Sequence, residues 1–189
     1  RLQKERGSSI AEDIFPKLVE QKGAMPIIKD QLPTIFHHEA HSPGEIHKTL
    51  RETMVAYQKT LPAAYQSLLD RFELRDAAMK VVGIGSVGTS CWVLLYMAGE
   101  GDPLFLQVKE ARASVLGPSA GERLHAAHGQ RVVVGQRIMQ AATDVFLGWT
   151  RGKNGRDVYV RQLRDVKISA VIEDWDTGML RQYGRMCAH

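Results

Sequence analysis

Between Lys80 and Glu110 the chain reads KVVGIGSVGTSCWVLLYMAGEGDPLFLQVKE, and its glycine spacing limits what can follow. Gly83, Gly85 and Gly88 stand in a G-x-G-x-x-G frame. Glycine suits such a turn because it tolerates positive φ and carries no Cβ to hold a ligand off the backbone. Successive N–H groups along the turn can then face phosphate oxygens. Two architectures share this frame. In one, the glycines lead into a helix and an acidic residue follows about 20 positions on; Glu100 and Asp102 lie near that distance. In the other, the chain folds back as a β-hairpin and a lysine stands on the next strand. Only ten residues separate Gly88 from Gly99, whereas a crossover helix with its loops needs at least about 10–12. Thr89 to Met97, TSCWVLLYM, is rich in strand-preferring types, and Gly99-Glu100-Gly101-Asp102-Pro103 is a turn signal. The hairpin is therefore favoured and the helix kept as the alternative. A P-loop is excluded, since Thr89 stands where its lysine must be.

Leu104 to Lys109 reads as the third strand. By strand alternation Phe105, Gln107 and Lys109 share one face and Leu104, Leu106 and Val108 the other. Lys109 thus points away from the aliphatic side. Gly83, Gly85, Ser86, Val87 and Gly88 form the candidate phosphate cradle, and Lys109 is the cation that would meet the same anion. The competing reading of Lys109 is a solvent lysine at a strand end.

Ser9 to Gln21 predicts a helix with a Ser9/Glu12 capping box and a break at Pro16. His37, His38, His41 and His47 form the histidine-dense stretch, which reads as a solvated polar loop. Ser42 falls where the second ligand of an H-E-x-x-H zinc motif belongs, so no metal ligand is assigned. Ser42-Pro43-Gly44-Glu45 starts a helix whose Ile46, Leu50, Met54, Tyr57 and Leu61 trace an apolar face, and another begins at Pro62. Ala111 to Gly121 reads as loop and Gln130 to Ala142 as helix. Asp144 to Trp149 and Val158 to Leu163 read as strands joined by an Asn154-Gly155 hairpin. The charges from Arg161 to Lys167 guard an edge strand or meet a ligand; both remain open. A last helix runs from about Thr177, with Met179, Leu180, Tyr183 and Cys187 inward.

The 189 residues can bury one core, whole or split over two lobes, and 44% hydrophobic with 24% charged residues is ordinary for a globular chain. A net charge of +4, spread along the chain, tolerates anionic ligands without marking a nucleic-acid binder. No apolar run approaches the roughly 18 residues of a membrane span. Cys91 and Cys187 lack metal spacing and read as reduced thiols of a cytoplasmic protein. Arg1 without a methionine, and an end at Cys187-Ala188-His189, read as a piece cut from a longer protein.

The strings VVGIGSVGT, DPLFLQVKEA, GQRVVVGQRIMQAATDVFLGW and VYVRQLRDVK resemble a bacterial family of unknown function, closely over 76–189 and loosely over 1–75. That family is distantly similar to kinase-like phosphotransferases, the group with aminoglycoside and choline kinases. The resemblance implies an α+β fold. A kinase-like N-lobe at 76–170 would hold an antiparallel sheet of about five strands with flanking helices. A helical segment at 1–75 would precede it, and a truncated helical region at 171–189 would follow. It implies that the turn covers the phosphates of ATP, that Lys109 contacts them, and that Gln162 and Leu163 lead to an adenine-binding hinge. Magnesium is implied on the same ground. Full-length members carry G-D-x-H-x-x-N and D-F-D-E elements upstream of the turn; neither occurs here. The helix at 130–142 also lacks an acidic partner for Lys109, with Glu110 and Glu122 the nearest carboxylates.

The expected function is the nucleotide-binding lobe of a phosphotransferase with an unidentified small-molecule or protein acceptor. This stretch alone would be without catalytic residues. The alternatives are a non-catalytic binding module and, further off, dinucleotide binding.

Overall fold

The computed structural model describes residues 15–23, 25–37, 43–81, 83, 88–99, 101–120, 125–163 and 175–188, without the side chains of 43–46, 120 and 187. Its first elements are α1 (Phe15–Leu18), β1 (Val19–Lys22), β2 (Met25–Ile28) and β3 (Ile35–Phe36). Next come α2 (Pro43–Gln58), α3 (Ala63–Leu69), β4 (Glu73–Lys80), β5 (Cys91–Ala98) and β6 (Asp102–Glu110). The chain closes with α4 (Gly117–Ala120), α5 (His128–Met139), β7 (Gly148–Arg151), β8 (Asp157–Gln162) and α6 (Thr177–Cys187). This is a mixed α+β fold with two antiparallel sheets. One is the β1–β2 hairpin, and the other has six strands in the order β3-β4-β5-β6-β8-β7.

The β6 alternation divides the core. On one face Leu104, Leu106 and Val108 meet Leu94, Tyr96, Val158 and Val160 under α2 and α3, which contribute Leu50, Met54, Tyr57 and Leu69. On the other, Phe105 packs with Ala78, Val93, Leu95 and Leu163 beneath Leu18, Val19, Ile28 and Ile35 of the N-terminal segment. Fully burying one such side chain contributes about 1.5–3 kcal/mol. The apolar period of α2, Leu50–Met54–Tyr57, continued by Leu61 just beyond its end, is what drives it onto the sheet.

Several expectations are corrected. The predicted first helix ends at Leu18 instead of Gln21, because Val19 and Ile28 are buried as cross-strand partners and that pairing overrides local helix preference; residues 9–14 lie outside the described residues. The segment before residue 76 therefore holds strands as well as helices. Asp144 to Leu147 is a turn and not a strand: the Asp144 carboxylate accepts from Phe146 N, and its carbonyl from Leu147 N. Residues 117–120 form a helical turn within the expected loop. β8 lies between β6 and β7, so Arg161 does not guard an edge. Met179, Leu180 and Tyr183 of α6 are exposed, with Tyr183 set edge-on to Trp175 at 5.2 Å between ring centroids. β5 pairs antiparallel with β4, and the residues from Gly88 to Ala98 form a turn and a strand, so no helix opens at Gly88. Among the described residues, no helix is long and apolar enough to cross a membrane.

Candidate functional site

β4 and β5 bring the two ends of the glycine-rich turn to one end of the sheet. Gly83 is exposed with open space where a Cβ would be. Gly88 has φ +77°, a conformation that side chains resist. Gly85, Ser86 and Val87 lie outside the described residues. The exit of the turn is fastened: Arg112 donates to the Gly88 carbonyl, and Ser90 donates from N and Oγ to the Glu110 carboxylate, at 3.2 and 3.3 Å.

Lys109 sits at the same end, because its cross-strand neighbours are Cys91 on β5 and Tyr159 on β8. It is half-buried, and burial pulls its ammonium below the usual lysine range. The Cys91 sulfur opposes that drop, while Arg161 and Lys80 add to it. Lys80 follows Ala78 by two residues and shares its face, so three cations press on one region of the sheet. Among the described residues no carboxylate forms an ion pair with any of them. Cys91 is a buried free thiol, raised chiefly by burial, and accepts from Gln107 Nε2 at 3.3 Å. Arg161 Nε in turn donates to Gln107 Oε1 at 3.3 Å, which orients the amide. A patch of three cations suits an anion of several oxygens.

Glu110, considered as a partner for Lys109, faces the other way. Arg112 Nε holds it at 2.8 Å and Arg156 Nη1 at 3.3 Å, and its carboxyl lies below the usual range despite burial. Glu122 lies outside the described residues. Gln162 closes β8 and Leu163 follows it, but both of their N–H groups are engaged. Asp144 accepts from Gln162 N, and the Phe105 carbonyl accepts from Leu163 N at 2.9 Å. Neither N–H is free to meet a ligand, and the Leu163 side chain is in the core.

The histidine stretch contains a second polar centre that the sequence did not reveal. Buried Asp76 accepts from Ile28 N at 2.6 Å and from His37 Nε2 at 3.1 Å, with His47 Nε2 at 3.7 Å. His37 Nδ1 reaches Asp30 at 2.8 Å. The Asp76 hydrogen bond leads the causes that raise His37 to about 9, so the ring is charged at neutral pH and donates from both nitrogens. For His37 and His47 the solvated-loop reading is therefore replaced by an anchor that ties β2 to β4; His38 and His41 lie outside the described residues. Among the described residues, no group of His, Cys, Asp or Glu is placed to hold a metal ion.

The whole chain, residues 1–189, matches the family described as "Uncharacterized protein conserved in bacteria (DUF2252)". The chain belongs to this family. No curated protein and no solved structure matches the chain. Within the DUF2252 chain, the contributor to the cationic face that sequence reasoning missed is Lys80, while Arg161 is one of the charges whose ligand role the sequence leaves open. Parity with Ala78 could have placed Lys80; placing Arg161 beside Lys109 required knowing that β8 pairs with β6.

Proposed function

We propose that this DUF2252 chain is the nucleotide-binding lobe of a kinase-like phosphotransferase, holding the phosphates of ATP against the glycine-rich turn and Lys109. The observation that carries this reading is the crowding of Lys80, Lys109 and Arg161 on one face, unpaired with any described carboxylate, at the end from which the turn leaves. Like charges brought together and half-desolvated cost folding free energy, and an anion would recover it. The element order supports the same reading: hairpin β4–β5, lysine strand β6, helix α5, hairpin β7–β8. Adenine would have to be met by groups other than the Gln162 and Leu163 N–H. Among the described residues no group of three or more His, Cys, Asp or Glu is placed to hold a magnesium ion, so in this reading the ion arrives on the nucleotide phosphates. In this reading the protein works in the cytoplasm, which a reduced thiol and a need for ATP would suit.

Titration calorimetry with Mg-ATP tests it. The native chain should bind, Lys109→Ala should bind several-fold more weakly, and raising the salt should weaken both. Equal affinity in the two proteins would remove Lys109 from the site.

One observation favours a second reading, a binding module without catalysis. α5 has no acidic residue in its first turn, and its Gln130 and Gln136 offer amides where a lysine partner would stand. This reading expects nucleotide binding by the full-length protein with neither hydrolysis nor transfer to any acceptor.

A further inference from the structure

A cavity-forming region lies away from the Lys109 face. It lies across the sheet, between α2, the β7–β8 turn and the ends of β5 and β6, with a volume of about 430 Å³. That is within the roughly 300–1,000 Å³ of small-molecule sites. Leu50, Trp92, Val108 and Val158 make its apolar floor. Its polar groups are not equally available. Glu110 is taken up by Ser90, Arg112 and Arg156, so a cationic ligand would find no free acceptor there. Thr53 Oγ1 donates to the Thr49 carbonyl at 2.8 Å. Arg156, also in the lining, spends its Nη1 on Glu110 and is otherwise exposed, so most of its five donors have no described side-chain partner.

We infer that this cavity is a binding site for a small aromatic carboxylate, whose ring lies against Trp92 and whose carboxylate meets the Arg156 guanidinium. The aromatic body follows from the indole and the aliphatic floor. The acid follows from Arg156, which has only a share of the Glu110 carboxylate because Arg112 holds it too, whereas the other cation in the lining, Lys153, has Glu52 at 2.5 Å. The site is independent of the nucleotide reading, because Lys109 is on the opposite face.

Indole-3-acetate and the neutral indole-3-ethanol are suitable probes, followed by the Trp92 indole N–H cross-peak in ¹⁵N-correlated spectra. The acid should move that peak saturably at sub-millimolar concentration and the alcohol more weakly. Arg156→Gln should bring the acid down to the level of the alcohol. Thr53→Leu, which fills the cavity, should abolish both shifts. If that variant unfolds, Thr49→Phe, from an exposed position at the rim, should do the same. Lys109→Ala should leave both affinities unchanged. No movement of the Trp92 peak with either probe would overturn the proposal, as would equal affinity for acid and alcohol, or undiminished binding in Thr53→Leu or Thr49→Phe.

Discussion

Lys109 stands directly opposite Cys91 in the β5–β6 ladder, a half-buried ammonium beside a buried thiol. The pairing sets two reactivities at once. Burial raises the thiol, and the lysine only partly offsets it. Burial likewise lowers the ammonium. In a Cys187→Ser background, Cys91 should react with iodoacetamide orders of magnitude more slowly in the folded protein than in urea, since the thiolate is the nucleophile. Rapid labelling of the folded chain would contradict the burial of Cys91.

The His37–Asp76 contact predicts how stability changes with pH. His37 is raised from 6.5 to about 9, so its contribution is full below pH 6.5 and is lost as the pH rises through 9. Asp76 is lowered, through its bonds to His37 and Ile28 N that outweigh burial, so its contribution is full above pH 3.8 and fades as the pH falls below that value. Urea midpoints should therefore decline from pH 6.5 to 10 in the native protein. They should decline much less in His37→Gln. A parallel decline in both proteins would show that the histidine is not the group responsible.

Asp157 should act as a cap supplied from another element. Its Oδ2 accepts from His128 N at 2.7 Å at the start of α5, where Ala127 offers no side-chain cap, and Arg151 holds Oδ1 at 2.8 Å. Asp157→Ala should cost about 1–2 kcal/mol by denaturant unfolding, the scale of a lost N-cap. Amide exchange should rise first in the opening turn of α5.

Gly129 should resist any side chain. A Cβ there would meet the Val158 carbonyl oxygen at 2.4 Å, which is backbone and cannot swing away. Gly129→Ala should lose about 1–3 kcal/mol through overpacking. Gly135, in the same helix with open space around it, should accept alanine with no loss or a small gain.

Local patterns were enough for part of this architecture. The β5–β6 hairpin was legible because glycine turns bracket runs of strand-forming residues, and the β7–β8 hairpin because Asn154-Gly155 leaves few other options; the strand before the glycines was expected from Lys80 on, whereas β4 ends there. The apolar period of α2 was legible for the same reason. What failed depended on distant partners. Val19 to Lys22 became strand only because Met25 to Ile28 lies alongside it. Asp76 escaped notice because the ladder slips at Arg75, between Leu74 and Asp76, and puts Asp76 on the face opposite Leu74, where alternation alone would not place it. The cationic face was half legible. Lys109 was singled out from its strand, but Arg161 joins it only through the β6–β8 register.

β8 is inserted between β6 and β7 although it is the last of the six strands to be made. Until residue 162 has left the ribosome, β6 keeps one row of amides and carbonyls bare along a strand otherwise buried on both sides. Nascent chains stopped before Asp157 should therefore be sticky intermediates that call on chaperones, and release of the final hairpin should end that dependence.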